Sequence, residues 1–199
     1  MEDEYLSLAY RVESEYKDRG SRFIAIAFPC SSTEEFKAKL DQIKLQYPAA
    51  THYCYAYRFG PKGHVNRAND DGEPGGTAGL PILNQMLSSD VSDAAIVVVR
   101  YYGGTKLGAS GLIKAYKSAA AETLRKAEKK IIFPSVELKV RFPYANTKAV
   151  EMLLKKHVVK VISQDFSEYC TFKLKIRSAE LSDFRASITT FEGITLLTT

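Results

Sequence analysis

The sequence predicts an α+β protein of two domains, residues 1–133 and 134–199, and three observations carry that prediction. Strand-like alternation and helix-like spacing of apolar residues succeed one another along the chain. Ten of the twelve glycines lie between Gly60 and Gly111, and beyond Phe133-Pro134 glycine almost disappears, which places a boundary at about residues 131–135. The remainder then reads strand, helix, strand, strand, helix, strand, the βαββαβ order of a ferredoxin-like module.

In the first domain, residues 22–28 (RFIAIAF) alternate as a strand. Ser32, Thr33, Glu34 and Glu35 form a capping box, and Phe36, Leu40, Ile43 and Tyr47 follow at helical spacing until Pro48 closes the helix. Residues 52–59 alternate with period two, so Tyr53, Tyr55, Tyr57 and Phe59 share one face and His52, Cys54, Ala56 and Arg58 the other. The aromatic face is expected in the core, with base stacking as the alternative. A long polar glycine loop leads to a short helix over 81–87, an apolar buried strand over 94–102 and a long helix over 111–130. That helix buries Leu112, Ala115, Tyr116, Ala119, Thr123 and Leu124, and turns Lys114, Lys117, Arg125 and Lys126 to solvent.

The second domain places strands over 136–142, 158–163, 169–177 and 194–198 and helices over 146–156 and 179–190. Val136, Leu138, Leu153, Val161, Phe172, Leu174, Phe184 and Ile188 are its expected core. Ten Lys and Arg stand against seven Asp and Glu there, which is +3 of the chain's +5, and the module either offers a sheet face to a partner or is a structural or dimerising appendage.

With 45% hydrophobic and 26% charged residues and no low-complexity tract or heptad run, the composition is that of a soluble globular protein and excludes a disordered, collagenous or coiled-coil chain. No apolar run approaches the roughly 18 residues of a membrane span, and the start MEDEYLSLAY is acidic, so a cytoplasmic location without membrane contact is expected. Cys30, Cys54 and Cys170 are odd in number and lack CxxC spacing, which predicts reduced thiols and no zinc site. His52, His64 and His157 show no ligand spacing and are expected to be structural.

Two stretches carry candidate chemistry. In RANDDGEPGGTAG, residues 67–79, the carboxylates of Asp70, Asp71 and Glu73 sit on a bendable loop. They either approach a divalent cation or cap turns and pair with Arg58, Arg67 or Arg100. Three carboxylates beside basic residues are too few for a dedicated cage, so no metal, cofactor or catalytic residue is assigned. In residues 100–111 an apolar strand ends in a glycine-rich turn that feeds a helix, where backbone N–H groups favour an anion unless the glycines only make a tight strand-to-helix turn. Gly103, Gly104 and Gly108 form that turn, with Arg100 and Lys106 beside it. Together with Arg58 and Lys114 these cations are expected to make one positive surface next to the acidic loop, suited to a phosphate of RNA or of a nucleotide.

The runs ATHYCYAYRFG, NDDGEPGGTAGLPIL and VVVRYYGGTKLGASGLIKAY resemble the IMPACT/YigZ family, bacterial YigZ type, over residues 17–128 or so. That resemblance implies an N-terminal domain of the ribosomal protein S5 domain 2-like fold. It also implies a ferredoxin-like domain similar to the last domain of elongation factor G. It further implies a role in translation, and the expected function is a non-enzymatic translation regulator binding RNA, the ribosome or a translation factor, with DNA not expected. An enzyme acting on a phosphorylated small molecule or nucleotide is the alternative, because small-molecule kinases share the N-terminal fold.

Overall fold

The computed structural model describes residues 4–198 and shows a two-domain α+β fold in which the chain divides into two compact units, Tyr5–Ile132 and one beginning at Phe133. The first unit contains β1 (Tyr5–Leu8), β2 (Val12–Asp18), β3 (Ser21–Pro29), α1 (Thr33–Gln46), β4 (His52–Phe59), β5 (Val65–Asn69), α2 (Gly79–Ser88), β6 (Ala94–Tyr101), α3 (Gly108–Lys126) and β7 (Lys129–Ile132). Its main sheet is antiparallel with strand order β2-β3-β6-β4-β5, and β1 pairs with β7 in a separate ribbon. Strand β6 is central, so its run Ala94–Arg100 is buried on both faces and reads as continuous rather than alternating apolar sequence.

Helix α1 covers one face of this sheet and α2 with α3 the other, and side-chain size along β3 and β4 follows that division. Ile24, Ile26, Phe28, Tyr57 and Phe59 pack under α1 with Phe36 and Ile43. On the opposite face Ala25, Ala27, Cys54 and Ala56 are small and let α2 and α3 approach, with Ile82, Met86, Leu112 and Tyr116 filling the space between. The aromatic stripe of β4 is therefore core: the Phe36 ring lies 4.7 Å from that of Tyr55 and 5.0 Å from that of Tyr57. Helix α1 starts as its sequence predicts, with the Ser32 hydroxyl accepting from Glu35 N at 3.2 Å, while the Glu35 carboxylate reaches back to Ser31 N rather than Ser32 N.

Several boundaries differ from the sequence reading. Helix α3 starts at Gly108 and stops at Lys126, and the predicted last turn is instead β7, because Lys129–Ile132 pairs with a strand at the other end of the chain. Strands β1, β2 and β5 lie where no strand is predicted. Cys30, Cys54 and Cys170 are free thiols, all buried. No helix among the described residues is long and apolar enough to cross a membrane.

The second unit contains β8 (Ser135–Phe142), α4 (Thr147–Lys156), β9 (Val159–Phe166), β10 (Cys170–Arg177), α5 (Leu181–Ile188) and β11 (Thr195–Thr198). Its antiparallel sheet has the order β11-β8-β10-β9, the arrangement that two interleaved βαβ units produce. Leu138, Val140, Phe142, Phe172, Leu174 and Ile176 from one sheet face pack with Val150 and Leu153 of α4 and Phe184 and Ile188 of α5. Val161, expected in this core, is 37% exposed, since β9 is an edge strand whose register with β10 shifts at Lys173/Leu174.

This core draws only on residues after Phe133. A fragment of residues 134–199 is accordingly expected to unfold cooperatively on heating; a chain that stays unfolded by circular dichroism would show that the core needs the rest of the protein.

Candidate functional site

Arg100, the last buried residue of β6, stands opposite Phe23 of β3 and His52 of β4, on the sheet face under α2 and α3. A guanidinium this deep, 5% exposed, requires a counter-charge, and the polar loop between β5 and α2 supplies one. Glu73 Oε1 accepts from Arg100 Nη1 at 2.6 Å and from the Tyr116 hydroxyl of α3 at 2.7 Å. Cys54 Sγ lies 3.2 Å from that hydroxyl, and His52 Nε2 lies 3.9 Å from Glu73 Oε2. Burial pushes the Tyr116 phenol and the Cys54 thiol well above their ordinary values, so both stay protonated and the phenol remains a donor. Arg100 also lies against the Phe23 and Tyr102 rings, 5.4 and 5.5 Å from their centroids, and its Nε is buried without a hydrogen-bond partner.

The other two acids of the loop fix its backbone. Asp70 accepts from Gly76 N, Ala78 N and Gly79 N at 2.8 to 3.0 Å, which caps the start of α2 from within the loop. Burial raises its pKa, but those three N–H groups outweigh it and hold the carboxyl below the usual aspartate value. Asp71, at φ +43, accepts from Tyr53 N at 2.6 Å, and its carbonyl lies 2.8 Å from His52 Nδ1. The turn-capping reading of the acidic loop thus describes the structure, with Arg100 as the partner of Glu73. Among the described residues no His, Cys, Asp and Glu side chains group as a metal site would need.

The acidic loop and the 100–111 turn share one cleft. Thr51, His52, Glu73, Pro74, Arg100, Tyr102, Lys106, Gly108 and Leu112 are among the residues lining a cavity of about 510 Å³. The start of α3 opens into it, and the helix has neither a side-chain cap nor an acidic residue in its first turn. The two glycine-rich helix starts are therefore unlike: α2 receives a carboxylate from the protein itself, whereas α3 presents its first turn to the cleft.

The predicted positive surface is corrected in two places. Arg58 lies at the far end of β4, about 20 Å along the strand from His52 at roughly 3.3 Å per residue. It is buried, donating to the carbonyls of Val91 at 2.8 Å and Lys62 at 3.0 Å, and a Cβ on Gly63 would press on its Nε at 2.5 Å. Arg100 faces the cleft but is neutralised by Glu73. Lys106 is exposed on the lining, and Lys114 is exposed on α3 outside it. Of the glycines, Gly103 permits a backbone crossing, since a Cβ there would fall 1.9 Å from the carbonyl carbon of Gly20; Gly104 and Gly108 hold φ of +86 and +72 with open space beside them.

Sequence reasoning placed Tyr116 only in the core and His52 only as a structural residue, and it gave Tyr102 no role. A signal for Tyr116 was present: a phenol on an otherwise apolar helix face needs a partner for its hydroxyl.

Comparison with known proteins agrees with this architecture. The Impact N-terminal domain pattern matches residues 19–124. The chain is 33% identical over 173 residues to the IMPACT family member YigZ of Escherichia coli, covering 86% of this chain and 85% of that one. It is 33% identical over 188 residues to an IMPACT family member of Haemophilus influenzae, covering 94% and 91%. A crystal structure described as that of a hypothetical protein superposes with a TM-score of 0.78 at 31% identity, over 100% of this chain and 98% of that one.

Two outcomes follow from the geometry. Glu73→Gln strands a buried guanidinium and is expected to lower stability by about 3 kcal/mol. Adding Arg100→Met should recover part of that loss, and simple additivity in a denaturant double-mutant cycle would show that the pair is not coupled. For Asp70 the folded pKa lies below the unfolded one, so its stabilisation is full above the unfolded value, near pH 4, and disappears as pH falls through the folded value. Asp70→Asn should flatten the acid limb of the stability curve, and a limb of unchanged steepness would contradict the capping role.

Proposed function

The chain belongs to the IMPACT family, and from that premise we propose that it acts in translation as a non-enzymatic regulator, binding RNA or RNA-bearing parts of the translation machinery through the cleft beside α3. The observation that supports this most is the uncapped first turn of α3, whose residues line a cavity that is also lined by Lys106 and Arg100. Backbone N–H groups at a helix start favour an anion, and a phosphate is the anion RNA offers. Tyr102 is 46% exposed on the same lining, a flat ring on which a base can stack, and about 510 Å³ is room for one nucleotide. A cytoplasmic location is part of this proposal.

One feature favours the alternative of an enzyme acting on a phosphorylated small molecule: His52 and Glu73 both line the cleft. Against it, Glu73 Oε1 already accepts from Arg100 and Tyr116, so that oxygen is engaged within the protein.

Lys106→Ala separates the cleft's binding role from its structural one, because Lys106 is an exposed side chain on the lining. Affinity for a labelled single-stranded RNA is expected to fall, and the slope of log K against log salt to lose about 0.7, with the melting temperature unchanged. Unchanged affinity and slope would remove the cleft from RNA binding. Hydrolysis of a nucleotide by the intact protein, lost in His52→Gln, would favour the enzyme instead. Alanine at Gly104 or Gly108 is a poorer test, since the left-handed backbone alone makes it cost about 1 kcal/mol or more.

A further inference from the structure

We propose that the open face of the second unit's sheet is a surface for single-stranded RNA, separate from the cleft. Helices α4 and α5 cover one face of this sheet, and the strand alternation sends the remaining side chains to the other. Six cations occupy that open face: Lys139 and Arg141 on β8, Lys160 on β9, and Lys173, Lys175 and Arg177 on β10. Glu137 and Asp165 are the carboxylates among them. A surplus of four on one face exceeds the surplus of three that residues 134–199 carry altogether, so the unit's positive charge is concentrated there.

The arrangement works against the sheet's own stability. Lys139 stands directly opposite Lys173 across one strand pair, and Lys175 directly opposite Lys160 across the next. Like charges facing each other in a sheet are destabilising. Glu137 offsets part of this, touching Lys173 at 2.7 Å and standing directly opposite Lys175 across the β8–β10 pair. A polyanion laid across β8, β10 and β9 would relieve the rest.

RNA rather than an acidic peptide is indicated by the corner of this face. The Arg141 guanidinium lies 4.3 Å from the centroid of the Tyr169 ring, which is 41% exposed. Both line a hollow of about 280 Å³ together with Gly193, Thr195 and Leu197. A ring and a planar cation beside an open hollow form a plate on which an unpaired base can stack, as in other sheet-face RNA readers. A carboxylate-rich peptide would need the lysines but not the plate.

The test uses the full chain and a short labelled single-stranded RNA, read by fluorescence anisotropy across a salt series, with polyglutamate as competitor. Charge reversal at two exposed strand positions, Lys139→Glu with Lys175→Glu, is expected to weaken binding about tenfold or more and to reduce the salt slope by about 1.4. Tyr169→Ala should weaken RNA binding several-fold with no change in slope and leave polyglutamate binding as it is. A charge-reversed protein that is folded by circular dichroism and binds RNA like the parent overturns the proposal. So does polyglutamate that displaces RNA at equal charge concentration while Tyr169→Ala has no effect, because the face would then be a dock for an acidic protein. Lys106→Ala reports on the cleft alone: binding lost there and kept in both face variants sinks this inference and spares the cleft, and the reverse result does the opposite.

Discussion

The buried pair of Glu73 and Arg100 is the interaction on which the architecture of the site depends. Removing two charges from water costs several kcal/mol each, and their attraction repays this only when further hydrogen bonds complete the arrangement. Here Tyr116 donates to the same carboxylate oxygen, and the Phe23 ring lies against the guanidinium. An apolar replacement of similar shape would be about as stable, so stability alone does not account for the pair. What it adds is position. It ties a glycine-rich polar loop, which by composition has many conformations open to it, to the end of the central strand and to one turn of α3. The inward wall of the cleft is then fixed by the contacts of Glu73 with Arg100 and Tyr116.

The remaining acids of the loop serve the same end by different means. Asp70 closes the loop on itself and starts α2, while Asp71 holds it to the β4 backbone. Three carboxylates within four residues suggest a cation site when only their spacing is considered. In the fold they diverge, one toward a helix start, one toward a strand and one inward to a guanidinium, and a cation would have to compete with covalently tethered donors for each. Divergence of this kind follows from chain path, which spacing does not encode.

The legible parts of the sequence were those set by local period. The faces of β4, the buried side of α3, the capping box of α1 and the βαββαβ order all rest on neighbours within one element. The illegible parts are of two kinds: β2 and β5 are hairpin neighbours of β3 and β4 whose residues are mostly polar, whereas β7 pairs with β1 more than a hundred residues away and Lys129–Ile132 is too short to declare itself against a helix that runs up to it. The two arginines are an intermediate case. Arg58 shares its strand face with Cys54 and Ala56, and Arg100 continues the alternation of Ile96 and Val98. Small or apolar neighbours on one face mean a helix lies over it, so both arginines were bound to be covered. Charge suggested surface, and the period-two pattern already contained the correction.

The two proposed surfaces differ in physical character. The cleft contains little free charge, because its deep arginine is already paired, but it has shape: a helix start, one lysine and a ring around a space of limited volume. The open sheet face has the converse character, with abundant charge, broad area and one stacking corner. Contacts to a nucleic-acid backbone supply affinity and orientation without sequence information, whereas contacts to bases or chain ends supply discrimination. A surface of lysines tolerates many paths of a flexible strand, and a small walled recess tolerates few groups. On this physics a walled recess would discriminate a particular nucleotide or terminus, and a lysine face would hold a backbone whatever its sequence.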